Sequence, residues 1–327
     1  MYAKRDDIKP IKEIESKKEI YTLCKIDNNS KIAIGMSNDY LSIYNSDLSV
    51  KMVTLDNQPS YYFTELSGRT NRNGIKLLCC SYSYKIKIIE FIFKDNHKVE
   101  YDILYTIEPK ESRNEISKAI ELDNESKDIV SIDEQNIIIY KLVNDSKYIE
   151  TKKISVEGAN DILNLNEKIF CVSLKNMGIL QFYDNNNYNL VNQIKNIESY
   201  GSNNYICKLK ENILCIGGFE YISLIDINLA QLNNKTELIK NKERITSTCW
   251  ILEKRWLLAG TKYKSIENDE FFFDIIIYEL NNDNILNEIK RITNAHNKII
   301  NSIIYNDGKI ISGGEDKLIK IWNFSIL

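Results

Sequence analysis

Residues 295–324 read AHNKIINSIIYNDGKIISGGEDKLIKIWNF. Three alternating apolar runs, Ile300 to Tyr305, Lys309 to Ser312 and Leu318 to Trp322, are separated by the dipeptides Asp307-Gly308 and Glu315-Asp316. Period-two alternation cut by turn dipeptides is the signature of antiparallel strands joined by hairpins. A single copy describes only a small sheet. A repeat of it along the chain would set the whole fold.

The repeat is present. Gly313 is followed nine positions later by Trp322, and the same offset links Gly35 to Tyr44, Ser131 to Tyr140, Leu174 to Tyr183 and Gly217 to Asp226. Gly260 pairs with Tyr278 if the loop KYKSIENDE carries a nine-residue insertion, and CCSYSYKIKIIEF (79–91) supplies a seventh copy without the aromatic. The residue opening the second strand of each unit falls near positions 31, 76, 128, 168, 212, 256 and 309. That period is close to the roughly 40–45 residues of a four-stranded propeller blade. The long spacings coincide with the loops SGRTNRNG and FKDNHKVE in the second unit and with the insertion in the sixth.

Six units also carry a fourth strand: KMVTL (51–55), YDILYTI (101–107), ETKKISV (150–156), LVNQIKNI (190–197), TELIK (236–240) and ILNEIKRI (285–292). The seventh lacks one. The N-terminus supplies it, because IKEIES (11–16) matches IKNIES (194–199), a fourth strand running into the next unit. Closure by that strand removes the edges an open array would expose. The predicted fold is all-β: a seven-bladed β-propeller of four-stranded antiparallel blades, the last closed by the N-terminal strand. It is read as a single domain over 1–327. The units are approximately 17–55, 56–107, 108–156, 157–197, 198–240, 241–292 and 293–327, with closing strand 10–16.

Composition narrows the function classes. The 327 residues are 43% hydrophobic and 27% charged, a globular balance, and three Pro and twelve Gly leave little room for long linkers. A net charge of -3 gives no electrostatic case for nucleic acid or an anionic membrane. No apolar segment follows the N-terminal MYAKRDD, and no run approaches the ~18 apolar residues of a membrane span. Cys24, Cys79, Cys80, Cys171, Cys207, Cys215 and Cys249 all lie in apolar strand-like runs, with no CxxC or Cys/His cluster. They read as small buried hydrophobes in a reducing compartment, so the expected location is the cytoplasm. Asparagine is used heavily, and Asn185-Asn186-Asn187 reads as loop filler.

The last unit resembles the WD40 repeat family. Where that family's strongest copies show Gly-His, Ser-Gly-x-x-Asp and Trp-Asp, this chain has Ala295-His296, Ser312-Gly313-Gly314-Glu315-Asp316 and Trp322-Asn323. The resemblance implies that His296, Ser312, Asp316 and Trp322 form a structural hydrogen-bond chain tying the blade together. A buried indole N–H and a turn carboxylate need partners in any case, and a shared network supplies them. The other six units keep the hydrophobic pattern and lack the full tetrad.

Catalytic chemistry finds little support. The chain has two histidines, His97 in the FKDNHKVE loop and His296 in the tetrad, and no nucleophile elbow or phosphate-binding glycine loop. The chain is therefore expected not to be an enzyme and to use no cofactor or metal. No two Arg are adjacent, as in the FRRG-like motif of phosphoinositide-binding propellers, and no Arg follows Trp322-Asn323, as in one type of ubiquitin-ligase receptor.

What remains is an interaction scaffold in a larger assembly, a monomeric propeller docking a peptide segment or a domain. The alternative is a peptide-reading regulatory module, a ubiquitin-ligase substrate receptor or signalling adaptor, as part of a longer multidomain protein. The expected contact face holds the loops entering each blade and the turns between second and third strands. It gathers Tyr82, Tyr84, Arg113, Tyr200, Phe219, Tyr221, Arg244, Tyr263, Lys264 and Lys298, with Tyr and Arg being types enriched at interface hot spots. Within the insertion, Phe271-Phe272-Phe273 either begins a long third strand or offers an apolar anchor to a partner.

Overall fold

The computed structural model describes residues 8–58, 62–66, 74–80, 85–94, 98–109, 115–175, 178–195, 197, 205–228, 231–237, 243–265 and 269–323. These residues form seven four-stranded antiparallel sheets, the blades of a β-propeller. The chain divides into two compact units, and the division runs through the fourth blade.

One unit takes in Tyr21–Val172 and Tyr183–Asn189. Blade 1 is β2 (Ile20–Ile26), β3 (Lys31–Met36), β4 (Tyr40–Asn45) and β5 (Lys51–Leu55). Blade 2 is β6 (Tyr62–Glu65), β7 (Ile75–Cys80), β8 (Ile86–Phe93) and β9 (Val99–Ile107). Blade 3 is β10 (Lys118–Glu121), β11 (Ile129–Ile132), β12 (Asn136–Val143) and β13 (Lys147–Ser155). Blade 4 is β14 (Ala159–Asn164), β15 (Ile169–Leu174), β16 (Ile179–Asp184) and β17 (Leu190–Ile194). The apolar cores lie between successive blades. Ala33, Leu41 and Ile43 of blade 1 pack with Leu77, Ile89 and Phe91 of blade 2, whose Leu78 and Ile88 meet Ile138 and Tyr140 of blade 3. Middle strands are apolar on both faces for this reason.

The other unit holds the N-terminal strand, Ser173–Phe182 and the chain from Leu190. Blade 5 is β18 (Tyr205–Lys208), β19 (Ile213–Gly217), β20 (Tyr221–Asp226) and β21 (Gln231–Glu237). Blade 6 is β22 (Arg244–Ile251), β23 (Trp256–Lys264), β24 (Phe271–Leu280) and β25 (Leu286–His296). Blade 7 is β26 (Ile300–Asn306), β27 (Lys309–Gly314), β28 (Leu318–Asn323) and the N-terminal β1 (Lys12–Glu15), in sheet order β1-β28-β27-β26. Lys12 faces Ile321 and Glu15 faces Leu318, and the N–H groups of Ile11 and Ser16 continue the ladder to Ile321 (2.8 Å) and Lys317 (2.7 Å). The N-terminal strand closes the last blade.

The repeated small residue has a packing cause. A Cβ on Gly313 would come within 2.5 Å of Ile20, one on Gly217 within 2.8 Å of Ile245, and one on Gly260 within 3.2 Å of Ile300. In each case a second-strand glycine makes room for an isoleucine at the start of the next blade's first strand. The residue nine positions on also has a fixed place. Tyr44, Tyr140, Asp226, Tyr278 and Trp322 each face the first or second residue of their blade's second strand, across Ile32, Ile129, Ile213, Leu257 and Ile310.

Two strand expectations are revised. The fourth strand of blade 5 begins at Gln231, five residues before the expected TELIK (236–240), and includes its Thr236 and Glu237, while 238–240 lie outside the described residues. A short connection puts Gln231 opposite Asp226, and an outer strand needs no apolar alternation to hold its place. In the insertion of blade 6, Lys262, Tyr263 and Lys264 are strand rather than loop, and residues 266–268 lie outside the described residues. The insertion lengthens β23 and β24 into a ribbon in which Tyr263 faces Phe272 and Lys264 faces Phe271. Nor is Asn185 filler: it is fully buried, its amide donates to Asn164 Oδ1 (3.1 Å) and the Asn166 carbonyl (2.8 Å), and its own carbonyl accepts from Asn124.

Candidate interaction surface

In blade 7, His296 hydrogen-bonds through Nδ1 to Asp316 at 2.9 Å and through Nε2 to Ser312 Oγ at 2.8 Å, while Trp322 Nε1–H donates to the same Oγ at 3.0 Å. The bonds are mutually satisfied if His296 donates from Nδ1 and Ser312 donates to Nε2. Asp316 also accepts the N–H groups of Asn297 and Leu318. Although burial pushes the Asp316 carboxyl up, His296 and these N–H groups hold it below its usual range. Ser, His and Asp are linked as in a hydrolase relay. Here Ser312 is fully buried and its oxygen already accepts an indole N–H, so no substrate carbonyl can approach it. Ser312→Ala is expected to cost about 2–4 kcal/mol in urea unfolding, since both His296 Nε2 and Trp322 Nε1 would lose their buried partner.

The ends of blades 5 to 7 next to this network bring together five of the residues expected at a contact face. Phe219, in the β19–β20 turn, forms an isolated backbone bridge with Arg244. Arg244 faces Lys262 across β22–β23, and Tyr263 and Lys264 follow on the ribbon. Lys298 lies in the connection entering blade 7, where it and Lys262 both act on the charge of Glu315. Burial and Glu19 push the Glu315 carboxyl up against those two lysines. Tyr221 opens β20, as strand. Tyr82, Tyr84, Arg113, Tyr200 and His97 lie outside the described residues.

The ribbon is built from aromatic and cationic pairs. Tyr263 and Phe272 stack with ring centroids 5.2 Å apart, and Phe273 is buried against blade 7. Phe271 is 52% exposed, with Lys262 Nζ 4.5 Å and Lys264 Nζ 5.8 Å from its ring centre. The triple phenylalanine thus does both things considered for it: it starts the third strand and leaves one ring in solvent. An aromatic ring under ammonium groups is a contact type worth most when a partner desolvates it.

Beneath the ribbon, Arg291 of β25 meets Glu243, Asp274 and Glu288. None of these four was among the residues expected to matter. A local Glu288-x-x-Arg291 pairing is the sole trace in the sequence.

In the unit with blades 2 to 4, a cavity of about 330 Å³ is lined by Tyr62, Lys118, Glu121, Asp123, Lys127 and Asn164 among others. Lys118 pairs with Asp161 at 2.7 Å and lies over the Tyr62 ring, and Lys127 pairs with Asp123 at 2.7 Å. Each cation already faces a carboxylate, so the cavity expresses no charge preference. Burial raises the Cys80 thiol beside it to about 12, which leaves it unreactive at neutral pH.

No protein-family model matches the chain, and no curated protein is similar to it in sequence.

Proposed function

We propose that the chain is a WD40-type propeller acting as a non-catalytic protein-interaction scaffold in a cytoplasmic assembly. Its contact surface is the blade 6 ribbon with the adjoining turns. The observation that carries this reading is Phe271, a large ring 52% exposed on the two-stranded ribbon and flanked by Lys262 and Lys264. Large aromatic side chains bury much apolar area on docking and weigh heavily in interface energetics. The WD40 assignment is supported by the bonded His296, Ser312, Asp316 and Trp322 network. All seven cysteines are free, which fits a reducing compartment.

The test is affinity capture from the native cell with the wild type and a Phe271→Ala, Lys264→Ala double variant. Both side chains are exposed, so thermal stability should stay within about 0.5 kcal/mol of wild type. Loss of an anchor worth about 2 kcal/mol would weaken a captured partner roughly thirtyfold. An unchanged partner set would rule out this surface.

A further inference from the structure

Cys207 of β18 and Cys215 of β19 stand directly opposite each other in blade 5. Residues opposed across two antiparallel strands carry their side chains on the same face. Here that face is the one against blade 6. Cys215 is fully buried in a core shared with Leu257 and Ala259 of β23 and Ile276 of β24, and the half-buried Cys207 packs on the same cluster. The other five cysteines lie on strands whose hydrogen-bonded neighbours carry none. The adjacent Cys79 and Cys80 are turned to opposite faces of blade 2, each in a different core.

The spacing of the pair follows from the ladder. The Leu209 N–H donates to the Ile213 carbonyl at 2.9 Å, in register with β18 and β19. Hydrogen-bonded pairs recur at every second residue, so Cys207 and Cys215 form the next one. Such pairs hold their Cα atoms roughly 5.5 Å apart, inside the roughly 4.4–6.8 Å that a disulfide spans. Their Cβ atoms are the wider set of the two classes, so closing the bond must draw the strands together. A bond strained in this way is readily reduced again, which suits a reversible link rather than a permanent one.

We propose that Cys207 and Cys215 are a peroxide-responsive dithiol, which oxidation converts into a cross-strand disulfide tying β18 to β19. The half-buried Cys207 is the sulfur a small oxidant meets first. It takes one oxygen from hydrogen peroxide as the O–O bond breaks, giving a sulfenic acid and one water. Cys215 then attacks the Cys207 sulfur, the S–S bond forms, and the hydroxyl leaves with the Cys215 proton as a second water. The two sulfurs together lose two electrons, and the two peroxide oxygens gain them. Burial holds the Cys215 thiol well above its ordinary range, and its fixed place opposite Cys207 offsets the scarcity of its thiolate. The bond lands two residues before Gly217, whose bare Cα makes room for Ile245, and next to it the Gly218 carbonyl accepts the Ile245 N–H at 3.0 Å. Oxidation therefore firms the strand that carries blade 5 onto blade 6. Nothing in this depends on the docking surface.

The test treats the folded protein with hydrogen peroxide, blocks the remaining thiols and maps unreduced peptides by mass spectrometry. Lys208 and Lys210 lie between the two cysteines, so trypsin leaves them on separate peptides that only the bond joins. The expected product is that joined pair, two hydrogens lighter than the reduced peptides and returned to thiols by dithiothreitol. Amide exchange across residues 205–217 should slow at least tenfold on oxidation, with β12 as the unchanged reference. In Cys207→Ala, Cys215 should stay a thiol. If that variant does not fold, dimedone added to the wild type at early times should tag Cys207 and spare Cys215. Cys207 driven to a sulfinic acid beside an intact Cys215 thiol overturns the proposal. So does a link that forms only in urea or joins either sulfur to another cysteine. A bond that leaves the exchange unchanged overturns its role as a tie.

Discussion

Arg291→Met is expected to lower the unfolding free energy by about 3–5 kcal/mol, the range for breaking a buried ion cluster from one side. Methionine fills much of the arginine stem's volume, so the loss is electrostatic rather than a cavity. Glu243 would remain buried without the guanidinium from which both its oxygens accept, and it could respond only by taking up a proton or by opening the blade. The deficit should therefore shrink in acid and widen above neutrality. Urea titrations of wild type and variant at about pH 5 and pH 8 check both points. A deficit that is independent of pH would mean that methionine packing, not the loss of the Glu243–Arg291 pair, sets the cost.

The second large effect belongs to the closing strand. A chain lacking residues 1–16 loses the ladder from Lys12–Ile321 to Glu15–Leu318 and its flanking bonds. At about 1 kcal/mol net for each hydrogen bond, roughly 3–5 kcal/mol should go. The outer edge of β28 would then be open, and an unpaired edge recruits other chains. Calorimetry should show a lower melting temperature, and light scattering should show concentration-dependent association. Supplying residues 8–17 as a separate peptide should reverse both. A truncated chain as stable and as monodisperse as the full one would mean that β1 is ornamental.

Legibility in the sequence followed burial. Second strands are apolar on both faces because blades pack on each side of them, so positions such as Lys31, Trp256 and Lys309 could be read to the residue. Closure was read from the likeness of IKEIES (11–16) to IKNIES (194–199), of which Ile194 is the last residue of β17. Outer strands carry no such constraint, which is why QLNNKTE was passed over for TELIK. The sequence left open whether Phe271-Phe272-Phe273 begins a long third strand or forms a loop anchor, because Lys262, Lys264 and Asp269 look solvated, while the pairing that extends the strands depends on Tyr263 meeting Phe272 across them. The five residues that converge in blades 5 to 7 were grouped by knowing which turns share an end of the sheets. The Arg291 cluster was invisible by the same logic. Its partners Glu243 and Asp274 are 48 and 17 positions away, and nothing local requires an edge-strand arginine to turn inward.

The seven free thiols offer a clock for how the molecule comes apart. Cys79, Cys80, Cys171 and Cys215 are buried and Cys24, Cys207 and Cys249 half-buried. They fall in blades 1, 2, 4, 5 and 6, leaving blades 3 and 7 unmarked. An alkylating reagent can reach a buried sulfur only when its own blade opens. The order in which mass tags accumulate on the buried thiols would therefore date the opening of blades 2, 4 and 5 separately, in the unmodified protein and without a single introduced probe.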